Sequence, residues 1–264
     1  MQTSQFFEWK VDEDQVATLT LDRPEIHNAF NDEMIHDLTS LFQNEDVINS
    51  TRLIVIRGNG KSFCAGADLN WMKAMKDYTM EENVEDSKKL QKMFDVINLC
   101  PVPTVGVVHG AALGGGSGLV SCLDYVIAEE NTKFGFTEVK LGLLPAVISP
   151  YVMDKIGFSQ ARALFTTGER FMASRALEIG LVHRVETAES IDERLQKVIK
   201  QFLTAGPESS RVAKSLAFHI NDPSKSSDQK AVYTRELIAK TRIGQEAQEG
   251  MLAMLEKRKA RWSK

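Results

Sequence analysis

Three places in the sequence set chemically useful groups on backbone that can expose them. The first is GKSFCAGADLNWM, residues 60 to 72, where Ala65, Gly66 and Ala67 close a strand-like run and Asp68 opens a helical one at Leu69. Small side chains let a ligand reach the main chain, and the first amides of a helix are free donors aligned with its dipole. The Ala67 N–H is therefore suited to meet a developing oxyanion, although the segment alone reads more simply as a tight turn with an aspartate cap. The second is HGAALGGGSGL, residues 109 to 119, which repeats the order of strand end, glycine turn and helix start. Leu119 stands where a GxGxxG fingerprint needs glycine, and the run does not match GxxxxGK with a following Ser or Thr, so neither dinucleotide nor nucleotide triphosphate binding is indicated. The third is Glu138, an isolated acid in the glycine-bounded apolar segment FGFTEVKLGLLPA. Burial there would raise its pKa towards a range useful for proton transfer. Two donor turns followed by one acid suit proton transfer next to a carbonyl whose negative charge the amides hold.

These groups need a scaffold of strands and helices. Val16 to Leu21 and Leu53 to Arg57 are rich in β-formers, and an amphipathic helix pattern from Asn31 to Phe42 lies between them, which is the order of a βαβ unit. A charged helical run from Met80 to Leu99 ends at Pro101 and Pro103, and Thr104 to His109 reads as a buried strand. Tyr125 to Ala128 is a further short strand. From Ser159 the pattern is helical, with Gly180 as a C-cap and a long amphipathic series from Ser190 to the end, interrupted by the polar loop at 221–230. The expected architecture is α/β, with a core over 1–195 carrying the site and a helical region over 196–264.

Composition narrows the class of function. At 264 residues, 43% apolar and 26% charged with a formal charge of -4, the chain gives no electrostatic reason to bind nucleic acid. Its three cysteines, Cys64, Cys100 and Cys122, form no CxxC pair, so neither a disulfide framework nor a metal site is indicated. The uncharged stretch from Val96 to Leu123 has the length of a membrane span, but its prolines and clustered glycines fit a strand, a turn and a short buried helix better. The N-terminus has no basic start followed by an apolar run, so a cytoplasmic protein is expected, or a mitochondrial matrix protein in a eukaryote.

The segments RPEIHNAF, FCAGADL, HGAALGGGSGL and FGFTEVKLGLLPA, in this order and spacing, resemble the crotonase superfamily of enoyl-CoA hydratases and isomerases over roughly residues 8 to 260. The resemblance implies a spiral of ββα turns, a helical C-terminal trimerisation region, and a homotrimer or dimer of trimers. It implies that the amides of Ala67 and Gly115 form an oxyanion hole and that Glu138 exchanges a proton with substrate carbon. Coenzyme A would lie against Ala65 and the backbone of Glu25, Ile26 and His27, and the acyl group among Ala65, Gly66, Asp68, Leu69, Gly114 and Gly118. Coenzyme A enters as part of an acyl-CoA substrate, and no separate cofactor is expected.

One position departs from that pattern. Many hydratases of the superfamily carry a second glutamate in the glycine-rich helix, where this chain has Gly118. Members with the later glutamate alone include Δ3,Δ2-enoyl-CoA isomerases. SGLVSCLDYVIA and LGLLPAVISPYVMDKIG are nevertheless most similar to bacterial methylglutaconyl-CoA hydratases, which also have glycine there. Hydration of a branched enoyl-CoA such as 3-methylglutaconyl-CoA is the leading expectation, with isomerisation as the alternative and a non-catalytic acyl-CoA binder as the third. Cys64 and His109 read as buried structural residues, and Asp124 as a cap or ion-pair partner.

Overall fold

Runs of β-formers without charge become central strands, and each is followed by a segment that must return across the sheet face, so the chain repeats a strand–strand–helix turn. The computed structural model describes residues 4–263. In chain order the strands are β1 (Phe7–Val11), β2 (Val16–Leu21), β3 (Leu53–Gly58), β4 (Thr104–Val108), β5 (Ala111–Leu113), β6 (Tyr125–Glu129), β7 (Lys133–Gly135), β8 (Arg170–Met172) and β9 (Arg184–Glu186). The larger sheet has the order β1-β2-β3-β4-β6-β9 and the smaller one β5-β7-β8. β2, β3, β4, β6 and β9 pair in parallel, while β1 is antiparallel to β2. β4 is buried at every position, as a parallel strand covered on both faces must be.

Helices supply the parallel crossovers. They are α1 (Asp32–Gln43), α2 (Glu45–Asn49), α3 (Leu69–Ala74), α4 (Met80–Asn98), α5 (Gly115–Ser121), α6 (Ser149–Thr167) and α7 (Ala173–Glu178). Their boundaries follow side-chain caps: Asn31 accepts from the Met34 amide at 2.9 Å, and Thr79 with Glu82 forms a reciprocal capping box before α4. α6 is broken at Gly157, whose φ of 75° no helix interior contains.

The stacking of turns explains where a site can form. β4 is followed by β5 and α5, and β6 by β7 and then α6. In the two earlier turns the inner strand shrinks to single parallel bridges, Phe30 with Ala67 and Cys64 with Ala112. Ala112 in turn pairs with Phe134. Cys64, Ala112 and Phe134 are therefore aligned across three successive turns. Ala67, Gly115 and Glu138 follow them by three, three and four residues, which brings all three out on the same end of the stack.

The chain divides into two compact units, one of residues up to Cys100 and from Thr104 to Leu195, the other of Pro101–Pro103 and residues from Gln196 onward. α8 (Ile191–Thr204) runs through the division. The second unit holds α9 (Pro207–Asn221), α10 (Ser227–Ile243) and α11 (Gln245–Leu255), so the amphipathic tail expected from Ser190 is several helices. Glu246 of α11 accepts from the amides of Glu208 and Ser209 at 2.9 and 2.7 Å and thereby caps α9. No helix among the described residues is long and apolar enough to cross a membrane.

Candidate active site

The backbone of Ala67 is presented by hydrogen bonds on either side of it. The Gly66 carbonyl accepts from the Phe30 amide at 2.7 Å, and the Asp68 amide donates to the Phe30 carbonyl at 2.8 Å. A trans peptide points its C=O and N–H in opposite directions. With the Gly66 carbonyl turned to Phe30, the Ala67 N–H points away from it, and no described residue accepts from it. Asp68 caps α3 through Oδ1, 2.8 Å from the Asn70 amide. Its Oδ2 lies 2.9 Å from Arg23 Nη2.

The second donor comes from the glycine run. Gly114 has φ 52° and ψ -121°, a conformation closed to residues with a Cβ, and its amide donates to the Gly135 carbonyl at 2.8 Å. That rotation starts α5 at Gly115, whose amide is one of the orphan donors of a helix start. Ser117, fully buried, donates to the Ala112 carbonyl at 2.7 Å and accepts from the Gly135 amide at 3.3 Å, which ties α5 to β5 and β7. The two donor segments are adjacent: a Cβ on Gly66 would lie 3.5 Å from the Gly115 nitrogen, and one on Gly115 would lie 3.9 Å from the Gly66 Cα.

Glu138 completes the group. A Cβ on Gly114 would lie 3.2 Å from Glu138 Oε1, so the carboxyl stands against the residue that opens α5. Its Oε2 is buried without a hydrogen-bond partner. Burial raises the pKa above its ordinary value of 4.5, opposed by a bond from its own amide. A carboxyl of raised pKa beside two free amides can move a proton on a molecule whose carbonyl oxygen those amides hold.

The remaining expected site residues fall into two groups. Glu25 and Ile26 lie in a single 3-10 turn, Pro24–Ile26, closed by His27 with φ 57°. The His27 carbonyl accepts from the Ala65 amide at 2.9 Å, so the Glu25–His27 loop and Ala65 are neighbours. Leu69 is 71% exposed at the start of α3. Gly118 and Asp68 are both buried within the chain. Both Asp68 oxygens are engaged within the chain, and a Cβ on Gly118 would lie 2.3 Å from Ile148 Cγ2 and 3.5 Å from Phe94 Cζ. Cys64 is wholly buried, which pushes its thiol up to about 12 and leaves it inert near neutrality. His109 Nε2 is 2.9 Å from the Gly60 carbonyl, and Asp124 accepts from the amide and hydroxyl of Thr104 at 2.8 and 3.0 Å.

Sequence reasoning passes over Arg23, Asn28, Ser117 and Ile148. Asn28, buried at φ 55°, accepts from the Arg23 amide and donates to the carbonyls of Asn59 and Ser62. Asparagine is enriched at positive φ, which is the one local signal it offered. Ile148 and Gly118 are thirty residues apart in sequence, and only the fold brings them together.

A stack of ββα turns with two unpaired amides and an acid at one end defines an α/β enzyme of the crotonase fold. Residues 12–264 match the model of the enoyl-CoA hydratase/isomerase family. The crotonyl-CoA hydratase of Syntrophomonas wolfei is 32% identical over 251 residues, 94% of each chain. The enoyl-CoA isomerase/hydratase fer4 of Mycosarcoma maydis is 32% identical over 212 residues, 75% of each. The crystal structure of an enoyl-CoA hydratase from Shewanella pealeana superposes with a TM-score of 0.90 at 36% identity, covering 99% of this chain and 97% of that one. The chain belongs to the enoyl-CoA hydratase/isomerase family.

Proposed function

We propose that the chain adds water across the 2,3 double bond of a branched enoyl-CoA thioester that carries its own carboxylate, 3-methylglutaconyl-CoA being the type. The Ala67 and Gly115 amides hold the thioester oxygen. Glu138, as carboxylate, takes a proton from water as the water oxygen bonds to C3. The resulting thioester enolate is stabilised by the two amides, and Glu138 returns the proton to C2, so that one acid serves both halves of the addition. The substrate's own carboxylate orients the water that a second enzyme acid orients elsewhere. Coenzyme A, seated at Glu25–His27 and Ala65, arrives with the substrate, and the chemistry needs no other cofactor.

The carrying observation is the Glu138 carboxyl beside Gly114, with its Oε2 buried and without a hydrogen-bond partner. Ile148 occupies the space into which any side chain at 118 would grow. The same absence of a second acid favours one other reading, in which Glu138 takes a proton from C2 and returns it to C4 as a Δ3,Δ2-enoyl-CoA isomerase. A panel of enoyl-CoA thioesters separates the two by product mass: hydration adds about 18 Da and isomerisation adds nothing. Methylglutaconyl-CoA is expected to turn over at least about tenfold faster than crotonyl-CoA, which lacks the second carboxylate. Equal rates remove the substrate-assisted reading. The exposed apolar side chains Ile243, Met254 and Leu255 support the assembly into trimers implied by the resemblance.

A further inference from the structure

We propose that Arg23 is a positioning residue for the oxyanion arm at Ala67, acting through Asp68; this rests on the reading of Ala67 as an oxyanion donor. The Arg23 and Asp68 side chains are only 14% and 10% exposed, so the ion pair at 2.9 Å is nearly out of water. A buried pair holds where further hydrogen bonds support it, and both partners here have them. Arg23 Nη1 donates to the Ala29 carbonyl at 2.6 Å, its guanidinium lies over the Phe6 ring at 5.4 Å, and Asp68 Oδ1 accepts from the Asn70 amide.

The contacts close a ring around the Ala67 peptide. Ala29 precedes Phe30, Phe30 bonds the Gly66 carbonyl on one side of Ala67 and the Asp68 amide on the other, and Asp68 returns through Arg23 to Ala29. The two Phe30 bonds alone form a hinge about which residues 66–68 can pivot. Arg23 fixes the far corner, because its planar fork reaches a carbonyl and a carboxylate together, which a lysine ammonium on a flexible stem does not reproduce. An oxyanion donor helps only when it is already aimed at the position of the developing charge. Loss of Arg23 therefore leaves substrate binding nearly intact and weakens the transition state.

The test compares wild type, Arg23→Ala, Arg23→Lys, Asp68→Asn and the double variant Arg23→Ala/Asp68→Asn. One readout is steady-state kinetics on the best substrate of the thioester panel. The other is the red shift in absorbance of a bound aryl-acryloyl-CoA, which reports polarisation of the thioester carbonyl independently of turnover. Arg23→Ala is expected to lower kcat about 30-fold with KM within about threefold, to reduce the red shift, and to recover part of both with millimolar guanidinium. Asp68→Asn keeps the helix cap and loses the charge, so a smaller fall is expected, and the double variant should be no worse than Arg23→Ala because the pair acts as a unit. Where Arg23→Ala proves insoluble, Arg23→Lys carries the test, with an expected fall of about fivefold. An unchanged red shift and a kcat within twofold of wild type in a folded variant overturn the proposal. A wild type that gives no red shift at all removes the oxyanion reading itself, and the role of Arg23 with it.

Discussion

The two donor arms are built from opposite materials. The Ala67 arm is an exposed residue in a loop, and its geometry depends on a nearly buried ion pair, two bonds to Phe30 and a helix cap. The Gly115 arm begins a helix of seven residues and is held by neutral groups: the Gly114–Gly135 bond, the Ser117 hydroxyl, and glycines that let α5 press against its neighbours. A nearly buried ion pair can hold a loop whose tip is exposed. Close packing can hold a helix start in the interior, where an unpaired charge would cost several kcal/mol. The acid belongs to the second arm, since Glu138 follows β7 and stands against Gly114.

That asymmetry sets the order of expected effects. Glu138→Gln keeps the shape of both arms and removes proton transfer, so kcat should fall on the order of a thousandfold. The red shift of a bound aryl-acryloyl-CoA should survive, and its loss would mean that the acid, rather than the amides, polarises the carbonyl. Gly114→Ala attacks the packed arm. The new Cβ meets Glu138 Oε1 at 3.2 Å in a backbone conformation that alanine rarely adopts. The expected cost is about 1–3 kcal/mol of stability, with kcat reduced about a hundredfold as donor and acid shift together. Urea denaturation alongside kinetics checks both. Ser117→Ala should be milder, about 1–2 kcal/mol for the stranded Gly135 amide and Ala112 carbonyl, with kcat down roughly tenfold. A full-strength red shift and kcat in that variant would show that packing alone holds the second arm.

The two arms were also unequally legible in the sequence. Small residues before an aspartate cap announce exposed backbone through local chemistry, so Ala67 could be singled out from its own segment, whereas the glycine run marks only a turn and a helix start, and Gly115 within it is named through the family resemblance. The larger strands and the capping residue at Asn31 are local signals of the same kind. The inner strands β5 and β7 are three residues each, too short for any periodicity, and the earlier turns reduce them to single bridges. The alignment of Cys64, Ala112 and Phe134 that stacks the three groups is a property of strand pairing across distant segments. Arg23 with Asp68 and Gly118 with Ile148 are likewise tertiary pairs, which is why the former reads in sequence as an ordinary turn and the latter as a missing acid.

The acid of the packed arm leaves a signature in stability. Burial puts the Glu138 pKa above 4.5, so from 4.5 up to that raised value the folded chain binds more protons than the unfolded one, and stability falls as pH rises. His183 acts with the opposite sign. Burial, with Lys155 and Arg184 nearby, lowers its pKa to about 4, while its Nδ1 accepts from the Val126 amide and so requires the neutral ring. Between about 4 and 6.5 the unfolded chain binds the extra proton, and stability rises with pH. In wild type the two slopes oppose each other above 4.5. Glu138→Gln removes one of them, so unfolding free energies measured by urea should rise more steeply with pH from 4.5 to 6.5 in the variant, and the variant should be the more stable form near neutrality. Identical slopes in the two proteins would place the Glu138 carboxyl in water, and the packed arm would then carry a donor but no poised acid.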